Sequence, residues 1–196
     1  MEAATKETRT PPPSDGATPS RYVIILLLSY PDNFSKLFRF ISRSRYSHVS
    51  IGVSDSDWTF FSYVLKGFRT EKPHKHPTYK TREIPCQLYR IAVTDEQYAV
   101  AKAMLEEHSQ HAQMHRFSYL GLLLCYMRIN LQLKDRYFCS QFVSEILEKS
   151  RTLPLAKHSS LYLPDDFIDM DGLEFCYAGN LSQLVGGREP AWLSLA

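Results

Sequence analysis

Residues 136–147, Arg-Tyr-Phe-Cys-Ser-Gln-Phe-Val-Ser-Glu-Ile-Leu, decide how the rest of the chain is read. Phe138, Phe142, Val143, Ile146 and Leu147 recur at the spacing of one buried helical face, which predicts a short helix opening near Tyr137. Cys139 then falls in the first turn, where backbone N–H groups lack intrahelical partners and the helix dipole is positive. Such a field favours the thiolate, the nucleophilic form of cysteine. Buried cysteines are common and usually inert, so the segment needs a partner from elsewhere in the chain.

That partner is sought in residues 46–53, Tyr-Ser-His-Val-Ser-Ile-Gly-Val. Their alternation predicts a strand with Val49, Ile51 and Val53 on one face and His48, Ser50 and Gly52 on the other. The second face is small apart from the imidazole, leaving room for another element to approach. A thiol nucleophile needs a base within hydrogen-bond reach and a third group to orient that base. Such a cysteine and histidine are usually distant in sequence and adjacent in the fold. Without Cys139, His48 would read as an ordinary strand-edge histidine.

A strand of the form His-Val-x-Ile-Gly followed much later by Phe-Cys-Ser-Gln-Phe-Val resembles the circularly permuted papain-like hydrolases. These are the YiiX-like relatives of the NlpC-type peptidases. In the permuted members the histidine strand precedes the cysteine helix, as His48 precedes Cys139 here. The lecithin retinol acyltransferase relatives share that order, and their Cys-x-x-Phe-Val pattern is matched by Cys139, Phe142 and Val143. The resemblance spans roughly residues 22–180. It implies an α+β permuted papain-like fold, with a small antiparallel sheet packed on the cysteine helix. It also implies Cys139 as nucleophile and His48 as general base. In the family a polar residue on the following strand orients the imidazole. Here that strand is expected from Trp58 to Val64, which sets His48 opposite Ser62 or Tyr63. Ser62 is the only short polar side chain there, although a hydroxyl cannot offset an imidazolium charge.

Three regions follow from composition. Residues 1–21 hold Pro11, Pro12, Pro13 and Pro19 among Ser and Thr, and read as a disordered tail. Residues 22–185 form the domain, whose 44% hydrophobic and 13% aromatic content allows one substantial core. Residues 186–196 read as a loosely ordered tail. The domain opens on seven apolar residues from Tyr22, far short of the about 20 that span a bilayer, so a buried central strand is expected. A short amphipathic helix follows, with Phe34, Leu37, Phe38 and Ile41 on one side. Then comes a basic loop, Ser42-Arg43-Ser44-Arg45. Residues 66–82 read as a polar loop containing His74 and His76. A strand from Cys86 to Val93 leads into Thr94-Asp95-Glu96-Gln97, a capping box opening a helix that runs to about His108. A helix over residues 117–129 is apolar on most sides. Leu163-Pro164-Asp165-Asp166-Phe167 starts a brief helical turn with a capping Asp, and a late strand covers residues 174–178.

No pair of the four cysteines has zinc-ligand spacing, and His74 and His76 have no helpful partner, so no metal site is expected. The pattern suits a reducing, cytoplasmic compartment. A net charge of +2 without a basic stripe interleaved with aromatics gives nucleic-acid binding no support. The absence of a Gly-rich phosphate loop gives a nucleotide cofactor none either. The expectation is therefore a cofactor-free thiol hydrolase of amide, peptide or ester bonds. It would act through an acyl-enzyme on a small-molecule, peptide or lipid acyl substrate. Two rivals stand beside it. One is a catalytically degenerate ligand-binding module, motivated by the weak third position. The other is a lipid acyltransferase or phospholipase of the lecithin retinol acyltransferase type, motivated by the apolar helix and the basic loop. Contact with a membrane surface has no firmer sequence support than those two features.

Overall fold

Tyr22–Leu28 form strand β1 of the computed structural model, which describes residues 21–55, 57–75, 82–168 and 170–186. All seven side chains are buried because both faces of the strand are covered, which is why the segment reads as a continuous apolar run. Val23, Ile25 and Leu27 join one core with Phe142, Val143 and Ile146. Ile24, Leu26 and Leu28 join a second core with Phe60, Leu88 and Leu181.

β1 lies between β2 (His48–Val53) and β5 (Pro85–Ala92). With β3 (Phe60–Val64), β4 (Gly67–Glu71) and β8 (Glu174–Asn180) they make one six-stranded sheet, in the order β4-β3-β2-β1-β5-β8. Every neighbouring pair in it is antiparallel. Five helices accompany the sheet among the described residues, so the fold is α+β. They are α1 (Asn33–Ser42), α2 (Asp95–Gln110), α3 (Tyr119–Tyr126), α4 (Cys139–Lys149) and α5 (Leu181–Gly186). The capping box of α2 is formed at both ends: Gln97 N–H donates to Thr94 Oγ1 at 3.2 Å, and Thr94 N–H to Gln97 Oε1 at 3.0 Å. None of these helices is long and apolar enough to cross a membrane.

Two readings of the sequence need correction. The polar loop expected over residues 66–82 contains β4, which pairs with β3 across the two-residue turn Leu65-Lys66. Gly67 makes that turn: its φ of +107° is closed to other residues, and a Cβ there would lie 3.0 Å from the His115 carbonyl oxygen. The helix expected over residues 117–129 is shorter. Phe117 belongs to a two-residue strand, β6 (Arg116–Phe117), paired in parallel with β7 (Arg136–Tyr137). The helix starts only after Ser118, whose Oγ accepts from Gly121 N–H at 3.2 Å. The amphipathic α1 is present as read, and Ser35 is its one buried residue. Of the tails expected at residues 1–21 and 186–196, residues 1–20 and 187–196 lie outside the described residues. Arg21 pairs with Asp95 at 2.9 Å, and Gly186 ends α5.

Candidate active site

Cys139 is the first residue of α4, as the apolar spacing predicts. The residues from Cys139 to Leu147 are all buried against the sheet and the turn at Ser159–Leu161. Asp32, Thr94 and Ser118 cap α1, α2 and α3 with their side chains, but Phe138 precedes α4 and supplies no capping bond. The first-turn N–H groups of α4 are thus left without a side-chain acceptor at the N-cap. β6 and β7 bring the starts of α3 and α4 together, so Phe117 and Leu122 face the same space as Phe138 and Cys139.

His48 opens β2, opposite Leu28. The Cys139 thiol lines the same cleft and is close enough to the imidazole to favour its protonated form. On the other side, Nε2 stands 3.0 Å from Oε1 of Glu71, the last residue of β4, and both side chains are buried. With Nε2 on the carboxylate, Nδ1 is the nitrogen left for the thiol. Carboxylate, imidazole and thiol therefore stand in one chain of contacts, drawn from three elements far apart in sequence. Burial by itself disfavours the imidazolium. The Glu71 carboxylate and the Cys139 thiol outweigh it, holding His48 well above its ordinary pKa. Burial likewise pushes Glu71 upward, but His48, with help from Arg69 and Ser50, brings the carboxyl below its usual value. The two shifts describe a Glu⁻–His⁺ pair.

The orienting position expected at Ser62 is a correction. Its Oγ donates to the Val49 carbonyl at 2.6 Å, locking β3 to β2, and is not turned to the imidazole. The acceptor on His48 comes instead from one strand further out, in the segment read as loop. Its signal in the sequence was slight: Gly67 follows a two-residue turn, and Phe68 is the one large apolar residue of Gly67-Phe68-Arg69-Thr70-Glu71. The basic loop before β2 is held by Asp165, which accepts from Arg45 N–H at 2.6 Å and Tyr46 N–H at 2.9 Å. Asp166 caps its own turn through Leu163 N–H at 2.6 Å. Behind the site, the Tyr63 hydroxyl meets His108 Nδ1 at 3.0 Å. Burial and the neighbouring His115 push His108 down to about 4, so it is neutral at ordinary pH.

His48 and Cys139 open onto a cleft of about 290 Å³. Its walls are largely apolar, from Tyr30, Phe34, Phe38, Val64, Phe117 and Phe138, with Lys66 and Arg69 at its rim. The Tyr30 ring packs 5.5 Å from the His48 ring. Among the described residues, no three His, Cys, Asp or Glu side chains are grouped to hold a metal ion. His74 lies 3.8 Å from Asp57, and His76 is outside the described residues. Cys86, Cys125 and Cys176 are free thiols, with burial pushing them up to about 12, 11 and 11. No family model matches this chain, and no curated protein matches it.

Proposed function

We propose that this chain is a thiol-dependent hydrolase of the circularly permuted papain-like type, acting on an amide, peptide or ester bond. The observation that carries the reading is the contact chain Glu71–His48–Cys139 at the mouth of an apolar cleft. The order of histidine strand before cysteine helix supports the same assignment. His48, held as the imidazolium by Glu71, carries the proton that Cys139 gives up, and Cys139 Sγ attacks the carbonyl carbon. The N–H of Cys139, with a second donor, donates to the carbonyl oxygen as negative charge develops on it. His48 then gives its proton to the leaving amine or alkoxide, which departs and leaves a thioester on Cys139. Water, deprotonated by His48, attacks that thioester and releases the acid. A second nucleophile in place of water makes the same intermediate a transferase. Glu71 touches no substrate; it orients the ring and balances the imidazolium charge.

The apolar cleft suits an acyl group with hydrocarbon character, whether of a small molecule, a peptide or a lipid. The ligand-binding alternative rested on a missing charged partner for His48, and Glu71 fills that place. Alkylation by iodoacetamide across pH tests the reading. Cys139 in wild type is expected to label rapidly below about pH 7, where an ordinary thiol with a pKa near 8.5 is slow. His48→Ala should slow labelling about 100-fold in that range. Slow labelling that rises only above about pH 8, unchanged by the substitution, would leave the fold without this chemistry.

A further inference from the structure

α1 and α3 carry most of the large apolar side chains that the described residues leave in solvent. On α1 these are Phe34, Leu37, Phe40 and Ile41, with Phe40 83% exposed. On and just after α3 they are Tyr119, Leu120, Leu123, Met127 and Ile129. Leu65, in the turn between β3 and β4, is also exposed. Scattered apolar residues need no explanation, but a contiguous patch marks an interaction surface.

These residues are contiguous. Phe34 and Phe38 of α1 share the Cys139 cleft with Leu65 and with Leu122 of α3. At its other end, Ser42 of α1 shares a second cleft with Cys125, Tyr126 and Arg128. The two helices thus border the same clefts, and the Tyr119 hydroxyl ties α3 to the Leu65 carbonyl at 3.1 Å. α3 itself holds no charged residue.

Charge separates this face from the rest of the chain. Lys and Arg number 23 overall against 21 Asp and Glu. Residues 33–46, 65–70 and 117–131 contain no Asp or Glu at all. The first segment contributes Lys36, Arg39, Arg43 and Arg45, the second Lys66 and Arg69, and the third Arg128. Arg39 is partly spent on the Tyr30 carbonyl, which Nη1 reaches at 2.7 Å; Lys36, Arg43, Lys66 and Arg128 are exposed.

We infer that this face docks on an anionic lipid surface, laying the α1 and α3 side chains into the headgroup region with the mouth of the Cys139 cleft turned toward the bilayer. Apolar insertion together with an excess of basic residues, against the one exposed carboxylate of Asp32 beside the cleft, is the combination that such a surface attracts. A second copy of this chain would meet the same positive face and be repelled by it. The docking stands apart from the thiol chemistry, since none of the residues that insert is part of the Glu71–His48–Cys139 chain.

Co-sedimentation of the full chain with vesicles tests it. The protein should pellet with vesicles of phosphatidylcholine and one-third phosphatidylglycerol at low salt, and remain in the supernatant with phosphatidylcholine alone. High salt should release it, because exposed charges are screened. Leu37→Ser with Phe40→Ser, Leu120→Ser with Leu123→Ser, and Lys36→Glu with Arg43→Glu should each weaken binding about tenfold or more. Thermal unfolding and Cys139 alkylation should be unaltered in all three, since the changed side chains are exposed. Cys139→Ala should bind as wild type does, which keeps failure of docking distinct from failure of the hydrolase reading. Absence of pelleting with the anionic vesicles overturns the inference, as does pelleting indifferent to all three double substitutions. So does a dimer in light scattering that Leu37→Ser with Phe40→Ser makes monomeric, which would assign the face to a second copy.

Discussion

Glu71 is where the chemistry of the site can be separated from its architecture. Replacing it with Gln keeps a side chain that fits the space but removes the charge that balances the imidazolium. Glu71→Gln is expected to lower the rate of Cys139 alkylation near neutral pH by roughly tenfold or more, whereas Ser62→Ala should leave it nearly unchanged. Ser62→Ala should instead cost about 1 kcal/mol of stability, for the lost bond to the Val49 carbonyl. Equal effects of the two on labelling would return the orienting role to Ser62. The pair also sets a pH window for stability. Glu71 is lowered in the fold, so its contribution is present above its unfolded pKa and is lost as pH falls. His48 is raised, so its contribution is complete below its unfolded pKa and is lost as pH rises toward the folded value. Both are complete only between about pH 4.5 and 6.5. The gap in Tm between wild type and Glu71→Gln should be widest there and narrow on both sides. A gap that widens steadily with pH would contradict the assignment of charges.

The hairpin of β3 and β4 delivers Glu71, and Gly67 delivers the hairpin. Gly67→Ala puts a Cβ at a φ of +107° and against the His115 carbonyl, a strain of about 1–3 kcal/mol. It should lower Tm and also slow Cys139 alkylation, although residue 67 touches neither Cys139 nor His48. Loss of stability with labelling intact would mean that β4 does not govern the position of Glu71. Much of this was legible in the sequence. The unbroken apolar run of β1, the alternation of β2, the capping box of α2 and the apolar spacing of α4 each state a backbone geometry directly. β4 was obscured because only Phe68 on it is a large apolar residue, and because Lys, His and Pro follow closely. Thus Cys139 and His48 could be read from patterns of burial, while Glu71 could not. Its role comes from tertiary pairing two strands away from β2, which no local spacing encodes. The same limit applies to α1 and α3. Their apolar faces were visible in the sequence, but whether those faces meet a core or solvent depends on where the helices dock.

At the scale of the whole molecule, four cysteines share one chain and, among the described residues, one of them meets a base. Cys86, Cys125 and Cys176 are pushed up to about 12, 11 and 11 by burial and have no histidine partner of the kind that Cys139 has. Mass spectrometry of the native protein after brief iodoacetamide treatment near neutral pH should therefore find a single adduct, at Cys139. Substantial adducts at the other three would show that accessibility and not activation governs labelling. The order of the three groups along the chain, 48, 71 and 139, has a consequence in time. A polypeptide made from its N-terminus exposes the base and its carboxylate first, on the run of adjacent antiparallel strands β1 to β4. The thiol leaves the ribosome only after those four of the six strands have been synthesised. The nascent chain therefore carries no armed sulfur while β1 to β4 are being made, and reactivity arrives late in assembly.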